Sequence, residues 1–141
     1  FVGEPKSLNN NILEDFIKKD QIPVISPLGK DEENFTYNIN ADTVAGFVAG
    51  ELKASKLLLL TDVPGIFNEE KKLISSLTLK EAIEISGMDY ISGGMKPKIQ
   101  TCIDAMEKGV SKSTILDGRI PHSVILELFT EHGIGTQISN N

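Results

Sequence analysis

The clearest chemical signal in this sequence is a glycine-rich turn with two lysines, Ser92-Gly93-Gly94-Met95-Lys96-Pro97-Lys98, which runs into a segment of helical periodicity. Glycines let the backbone approach an anion, and the start of a helix points unpaired N–H groups outward. Lysines normally favour the far end of a helix, so Lys96 and Lys98 are placed against the helix dipole. In an acidic chain this conflict favours a phosphate-binding loop over a flexible surface turn.

A second group of polar residues, Asn38, Asn40 and Asp42, surrounds the start of a predicted helix. Asparagine is a favoured N-cap, so Asn40 could simply cap this helix. If Asn40 caps the helix, Asp42 is not needed as a cap. The sequence therefore leaves two readings open, a capped helix or a substrate-binding entrance.

A third group, Thr61 and Asp62, ends an apolar run and precedes Pro64-Gly65. Proline followed by glycine predicts a type II turn, which explains that pair but not Thr61 and Asp62. Ligands of open α/β sheets bind at the carboxyl ends of strands, so Thr61 and Asp62 are candidate ligand contacts. No Walker loop is present, and Gly133-Ile134-Gly135 lacks the third glycine of a dinucleotide fingerprint.

The elements that must position these residues alternate between helix and strand, which predicts an α/β fold. Helices are predicted over 8–19, 41–52, 79–86, 99–106 and 123–129, and strands over 21–27, 56–60, 113–116 and 136–138. The run over 56–60 is apolar without alternation, as expected of a central parallel strand covered on both faces. We also expect the end of a strand at residues 1–3, a polar loop over 31–40 and a hairpin tip over 68–72.

Two helices have more detailed signals. A capping box from Thr78 to Glu81 predicts a helix with Leu79, Ala82 and Ile83 facing inward and Gly87 at its end. The next helix has apolar residues at i, i+3, i+4 and i+7, namely Ile99, Cys102, Ile103 and Met106. Cys102 on this stripe is therefore expected to be a buried, inert thiol rather than a reactive one.

Composition limits the classes of function. The 141 residues contain 40% hydrophobic and 24% charged residues, which is typical of one globular domain. The net charge of −6 excludes nucleic-acid binding by overall charge, so an anionic ligand needs a local positive site. One cysteine and no Cys/His cluster indicate a reducing compartment and no protein-held metal. We expect a cytoplasmic location, or the plastid stroma if the source is an alga or plant, and no membrane contact.

Several motifs in their order along the chain resemble the amino acid kinase family. They are Tyr37 to Asp42, Leu58 to Ile66, and Gly93 to Lys98, which is similar to that family's G-M-x-x-K element. The stretches over 1–4, 114–122, 126–129 and 133–136 resemble the members that phosphorylate N-acetyl-L-glutamate. The resemblance covers the whole chain. It implies a three-layer αβα sandwich with a mainly parallel sheet, of which residues 1–141 would form the C-terminal, ATP-binding domain.

The resemblance also implies a reaction and roles for residues. The reaction is transfer of the γ-phosphoryl group of ATP, with Mg²⁺ held through the phosphates, to the side-chain carboxylate of N-acetyl-L-glutamate in arginine biosynthesis. Lys98 would stabilise charge on the moving group, Asp42 would hold Lys98 and a second lysine, and Asn38 and Asn40 would contact the acyl substrate. The nucleotide would contact Thr61, Asp62, Val63, Gly65, Ile66, Phe67, Tyr90, Ile91, Ser92, Gly93, Gly94, Met95 and Lys98.

Two further expectations come from the resemblance. The family's glycine-rich front loop and first catalytic lysine have no counterpart in this sequence, so we expect this chain to be an inactive fragment of a homo-oligomeric enzyme. Members inhibited by L-arginine have a Glu and a Gly at the positions of Glu127 and Gly133, although Glu127 could equally be a solvated residue on a helix face.

Alternative functions remain open on the sequence alone. One is a non-enzymatic effector module that senses arginine or docks the PII nitrogen-signalling protein. The other is a different amino acid kinase, acting on uridylate, carbamate or aspartate.

Overall fold

A computed structural model describes residues 2–91 and 93–140 of the chain. Phe1 and Ser92, for which the sequence predicts a strand end and a nucleotide contact, lie outside these residues. The helices are α1 (Asn10–Lys18), α2 (Ala41–Glu51), α3 (Leu79–Ser86), α4 (Met95–Glu107) and α5 (Ser123–Phe129). The strands are β1 (Leu28–Lys30), β2 (Thr36–Asn38), β3 (Lys56–Thr61), β4 (Ser76–Thr78), β5 (Lys112–Asp117) and β6 (Thr136–Ser139).

The main sheet has four strands in the order β3-β5-β6-β4. Strands β3 and β5 are parallel, as are β4 and β6, whereas β5 and β6 run antiparallel. Helices α2, α3 and α4 pack on one face of this sheet, where Leu57, Leu59 and Ile115 enter the core. Helix α5 lies on the other face, where its Glu127 contacts Thr114. The predicted α/β fold with a mainly parallel sheet is confirmed.

The predicted strand over 21–27 is wrong. The segment has no ladder, and Ile22 and Val24 are 90% and 96% exposed. Pro23 and Pro27 have no N–H to donate to a ladder. The strands of the two sheets in the described residues pair with one another and not with this segment. The chain instead forms a hairpin from β1 and β2, so the expected polar loop over 31–40 contains a strand. Val2 forms a parallel bridge with Asn38, in agreement with the expected strand end.

Strand β3 was predicted to be central, but within the described residues it lies at the edge of the sheet. Its two faces also differ, because Leu57 and Leu59 are buried whereas Leu60 is exposed. The sequence pattern missed this difference since every one of these residues is leucine. Strand β4, a three-residue strand beside β6, was not predicted at all.

The helices follow the sequence more closely. The predicted stripe of α4 is buried, and the capping box of Thr78 and Glu81 opens α3 with reciprocal hydrogen bonds. The inward face of α3 was partly wrong, because Ile83 is exposed and Ile85 is buried instead. Leu79, Ala82 and Ile85 lie three residues apart and so share one face. None of the helices in the described ranges is long and apolar enough to cross a bilayer.

Candidate nucleotide site

A cavity of about 500 Å³ lies between the carboxyl end of β3 and the start of α4. It is lined by Thr61, Asp62, Val63, Gly65, Phe67, Tyr90, Ile91, Gly94, Met95 and Lys98. All ten belong to the set that the resemblance to the amino acid kinase family implies for the nucleotide. Two described members of that set do not line the cavity: Ile66 is fully buried behind its wall, and Gly93 lies in the turn before α4. The structure thus brings together three stretches that are far apart in the chain.

The β3 side of the cavity is built by the loop after Thr61. The Thr61 hydroxyl donates a hydrogen bond to Asp62 Oδ1 (3.3 Å), and the Thr61 carbonyl accepts one from Gly118 N (2.9 Å). Gly65 has a φ of +156°, far from the about +80° that the second central residue of a type II turn needs. The predicted type II turn is therefore wrong. A Cβ at Gly65 would lie 2.5 Å from Thr136 Oγ1, so close approach explains this glycine.

The opposite side of the cavity is the N-terminus of α4. Gly94 is the N-cap, so no side chain covers the first N–H groups of the helix. Gly93 has a φ of +59°, a left-handed conformation that favours glycine. A Cβ built on Gly93 or on Gly94 would meet no atom within 4 Å. Open space in front of a helix start is the arrangement that binds phosphate.

Lys98 connects the cavity to α2. Its Nζ lies 2.5 Å from Asp42 Oδ2, and the two side chains are 18% and 25% exposed. Helices α2 and α4 must pack closely for this contact, and a Cβ on Gly46 would lie 2.5 Å from Thr101 Cγ2. Glycine at position 46 therefore permits the approach of the helices that pairs Lys98 with Asp42.

The two asparagines expected to contact the acyl substrate do not line this cavity. Asn40 is the N-cap of α2, and its Oδ1 accepts a hydrogen bond from Thr43 N (3.1 Å). The capping interpretation of Asn40 is confirmed, and with it the conclusion that Asp42 is not needed as a cap. Asn38 is exposed at the end of β2 and pairs with Leu28. Contact with a substrate stays a prediction for both asparagines.

Sequence reasoning missed an ion pair beside the cavity. Asp117 ends β5 as the register partner of Thr61, and its carboxylate accepts hydrogen bonds from Arg119 N, Nε and Nη2 at 2.9, 3.0 and 2.8 Å. These bonds from Arg119 hold the pKa of Asp117 below its usual value, and Asp117 raises the pKa of Arg119. The available signal was the Asp-Gly-Arg sequence at the end of a strand, because a turn at Gly118 lets the Arg119 side chain contact Asp117.

Glu127 is not a solvated residue of a helix face, so that alternative is wrong. It is 6% exposed, and its Oε1 accepts from Thr114 Oγ1 (3.1 Å) and Lys56 Nζ (3.4 Å). Its Oε2 accepts from Ile134 N (3.0 Å). Gly133 has a φ of +58°, and a Cβ there would lie 2.5 Å from Glu127 Oε2. The two residues predicted for arginine therefore lie together, and neither lines the cavity at the start of α4.

A larger cavity, of about 720 Å³, lies beneath the β1–β2 hairpin. Lys6, Lys30 and Asp31 are among its lining residues, but none of the residues predicted for the nucleotide is. Size alone therefore does not identify the candidate site. In the described part of the chain, no group of three or more His, Cys, Asp or Glu could hold a metal ion.

The profile of the amino acid kinase family matches residues 1–117. A protein from Mesorhizobium japonicum named acetylglutamate kinase is 51% identical over 138 residues, which cover 98% of this chain and 46% of that protein. An acetylglutamate kinase from a Bradyrhizobium species is 52% identical, with the same coverage. The chain thus spans about half the length of the curated relatives it matches.

Solved structures are similar over all or nearly all of the chain. N-acetylglutamate synthase from Neisseria gonorrhoeae, complexed with coenzyme A and L-arginine, superposes with a TM-score of 0.94 at 29% identity, covering 100% of this chain and 33% of that one. Carbamate kinase from Giardia lamblia bound to AMP-PNP gives a TM-score of 0.71 at 19% identity, covering 98% and 46%. At 19% identity, the similarity to carbamate kinase shows a shared fold only.

Proposed function

The chain belongs to the amino acid kinase family, and from this we propose that it is the ATP-binding part of an acetylglutamate kinase. The single observation that carries the proposal is the Lys98–Asp42 ion pair at the wall of a cavity that opens onto the start of α4. A cation fixed beside a helix N-terminus suits the phosphates of a nucleotide. Relatives that bear the name acetylglutamate kinase at about half identity support the choice of acceptor.

The cavity would hold the nucleotide between its two walls. The phosphates lie against the N–H groups at Gly94 and Met95, where the dipole of α4 favours negative charge. The base and sugar lie toward Phe67, Tyr90 and Ile91, which supply apolar and aromatic surface. This orientation puts the γ-phosphoryl group on the Lys98 side of the cavity.

The chemical step we propose is attack by a carboxylate oxygen of N-acetyl-L-glutamate on the γ-phosphorus. A new P–O bond forms, the bond to the β-phosphate oxygen breaks, and the products are an acyl phosphate and ADP. Such transfers depend on positioning and on neutralising the charge of the moving group. Lys98 supplies positive charge to that group, and Asp42 holds the ammonium in place. Asn38 and Asn40 are the candidates for the acyl side of the site.

A divalent metal fits this arrangement if it enters with the nucleotide. Asp62 is the single carboxylate among the described residues that line the cavity. Mg²⁺ commonly binds through one or two carboxylates together with substrate phosphates. It would neutralise phosphate charge, and Asp62 could contact it from the cavity wall.

Calorimetry and kinase assays test the proposal. The 141-residue chain should bind MgADP but show no turnover with ATP and N-acetyl-L-glutamate, whereas the complete protein should phosphorylate that acceptor. Carbamate, uridylate and aspartate serve as alternative acceptors in the same assay. Lack of MgADP binding by the complete protein would reject the proposal, and turnover by the 141-residue chain would reject its description as an inactive part.

A second candidate role is regulation by L-arginine at Glu127 and Gly133. The observation in its favour is that the buried carboxylate of Glu127 already binds a cationic side chain, since Lys56 Nζ lies 3.4 Å from Glu127 Oε1. The similar synthase from Neisseria gonorrhoeae was solved with L-arginine. In the complete protein, Glu127→Ala should raise the arginine needed for inhibition and leave MgADP affinity unchanged. An unaltered arginine response would leave Glu127 with a structural role only. Docking of PII and assembly into a homo-oligomer stay predictions.

A further inference from the structure

The β3 side of the nucleotide cavity is held from behind by a residue of the last strand. Ile66 N donates a hydrogen bond to Thr136 Oγ1 (2.8 Å), and Thr136 Oγ1 donates one to the carbonyl of Ile74 (2.5 Å). Ile66 and Thr136 are both 0% exposed. One hydroxyl therefore bridges two backbone groups, the buried Ile66 N–H and the partly buried Ile74 carbonyl.

Ile66 is fixed at both of its backbone polar groups. Its carbonyl accepts from Ile74 N (2.8 Å), while its N–H is held by Thr136. The residues on either side of Ile66, Gly65 and Phe67, line the cavity. The position of Ile66 thus sets the position of this part of the wall.

The Thr136 hydroxyl also restricts position 65 to glycine. A Cβ on Gly65 would lie 2.5 Å from Thr136 Oγ1 and 3.0 Å from Thr136 N. Any side chain here would push the loop away from β6 and break the bond to Ile66 N. Gly65 therefore leaves the space that the Thr136 hydroxyl occupies. That hydroxyl both accepts and donates a hydrogen bond there.

We propose that Thr136 is a positioning residue for nucleotide binding, acting through Ile66 on the wall formed by Gly65 and Phe67. The inference rests on the proposed function, because it assumes that the cavity binds a nucleotide. Valine has nearly the shape of threonine but can neither donate nor accept. Thr136→Val would remove the partner of the buried Ile66 N–H and of the partly buried Ile74 carbonyl. We expect the loop to shift so that water can bond the Ile66 N–H.

The test uses the complete protein with MgADP as the probe. Thr136→Val should weaken MgADP binding by about tenfold, which corresponds to about 1.4 kcal/mol, a typical loss for one buried hydrogen bond, here the one that holds Ile66 N–H. The KM for ATP should rise in parallel, while the KM for N-acetyl-L-glutamate stays unchanged. Thr136→Ser, which keeps the hydroxyl, should restore affinity to near the wild-type value.

Thr114→Val is the matched control. Thr114 is also 0% exposed, lies on the neighbouring strand β5 opposite Gln137, and loses one hydrogen bond, to Glu127. It should lower the thermal midpoint without changing MgADP affinity. An unchanged dissociation constant in Thr136→Val, or equal losses in both variants, would overturn the positioning role.

Two further outcomes have defined meanings. A wild-type protein that binds no MgADP rejects the proposed function itself, before any variant is considered. If Thr136→Val does not fold, Thr136→Ala takes its place, since it removes the same hydroxyl. Unchanged MgADP affinity in a folded Thr136→Ala protein overturns the inference, and a loss that is absent from Thr136→Ser supports it.

Discussion

Lys98→Ala is the most direct test of the proposed chemistry. The Lys98 ammonium is held 2.5 Å from Asp42, and its side chain is only 18% exposed, so it needs no reorganisation as charge develops on the moving phosphoryl group. Removal of one preorganised electrostatic contact typically lowers kcat by about 10²–10³-fold, or about 2.7–4 kcal/mol. We expect a loss in this range for Lys98→Ala in the complete protein.

The KM for ATP should change far less. Without Lys98, the N–H groups at Gly94 and Met95 still face the phosphates, so ground-state binding is largely kept. A contact that strengthens only in the transition state lowers kcat and kcat/KM together. Steady-state kinetics over a range of ATP concentrations, with saturating N-acetyl-L-glutamate, measure both parameters.

Stability must be followed in parallel, because the substitution leaves Asp42 without its partner. The Lys98–Asp42 pair is intermediate in burial. An exposed ion pair contributes about 0.2–1 kcal/mol to the free energy of unfolding. Removing one partner of a buried pair lowers that free energy by about 3–5 kcal/mol. Asp42 is 25% exposed and lies in the first turn of α2, where the helix dipole stabilises a carboxylate. We therefore expect a loss of about 1–2 kcal/mol in the free energy of unfolding, too little to unfold a typical domain.

Lys96→Ala is the control for charge. Lys96 stands in the same first turn of α4 but is exposed and does not line the cavity. It should keep nearly all of the wild-type kcat. An unchanged kcat in Lys98→Ala, or equal losses in the two variants, would refute the assignment of Lys98 to the transferred group.

Three further predictions follow from the geometry. Gly94→Val should abolish MgADP binding in calorimetry with little change in thermal midpoint, because its side chain would enter the open space in front of α4; retained binding would contradict a phosphate site there. Arg119 lowers the pKa of Asp117, so their interaction stabilises the fold above the ordinary aspartate pKa of about 3.9 and is lost as pH falls through the lower, folded-state pKa. The difference in urea midpoint between wild type and Arg119→Ala should therefore be present at neutral pH and vanish in acid, and a constant difference would contradict it. Burial raises the pKa of Cys102 to about 12, so the native thiol should not react with a disulfide reagent until urea unfolds the protein, and rapid native labelling would contradict its burial.

Features encoded within a few residues were predictable from the sequence. The buried stripe of α4 and the capping box at Thr78 depend on spacings of three and four residues. The glycine-rich start of α4 was also identifiable, because Lys98 in a first helical turn conflicts with the dipole unless an anion is present. The residues assigned to the nucleotide came from the family resemblance, and ten of the twelve that the structure describes line one cavity.

Features that depend on distant partners were not predictable. Leu60 carries the same side chain as Leu59, but it lies on the opposite face of β3, at the edge of the sheet, and is exposed. The role of Gly65 cannot be inferred from Pro64-Gly65, since its close neighbour is Thr136. The sequence could not exclude a solvated position for Glu127, because the three groups that bond its carboxylate come from elsewhere in the chain.

The bond between Ile66 and Thr136 has a consequence for biosynthesis. Its partners are 70 positions apart, and a ribosome adds about 5–20 residues per second. The ribosome therefore adds Thr136 about 4–14 s after it has added Ile66 in the loop that follows β3. During that interval the loop lacks its support from β6, so the nascent chain should gain affinity for nucleotide only after the last strand has left the ribosome and joined the sheet.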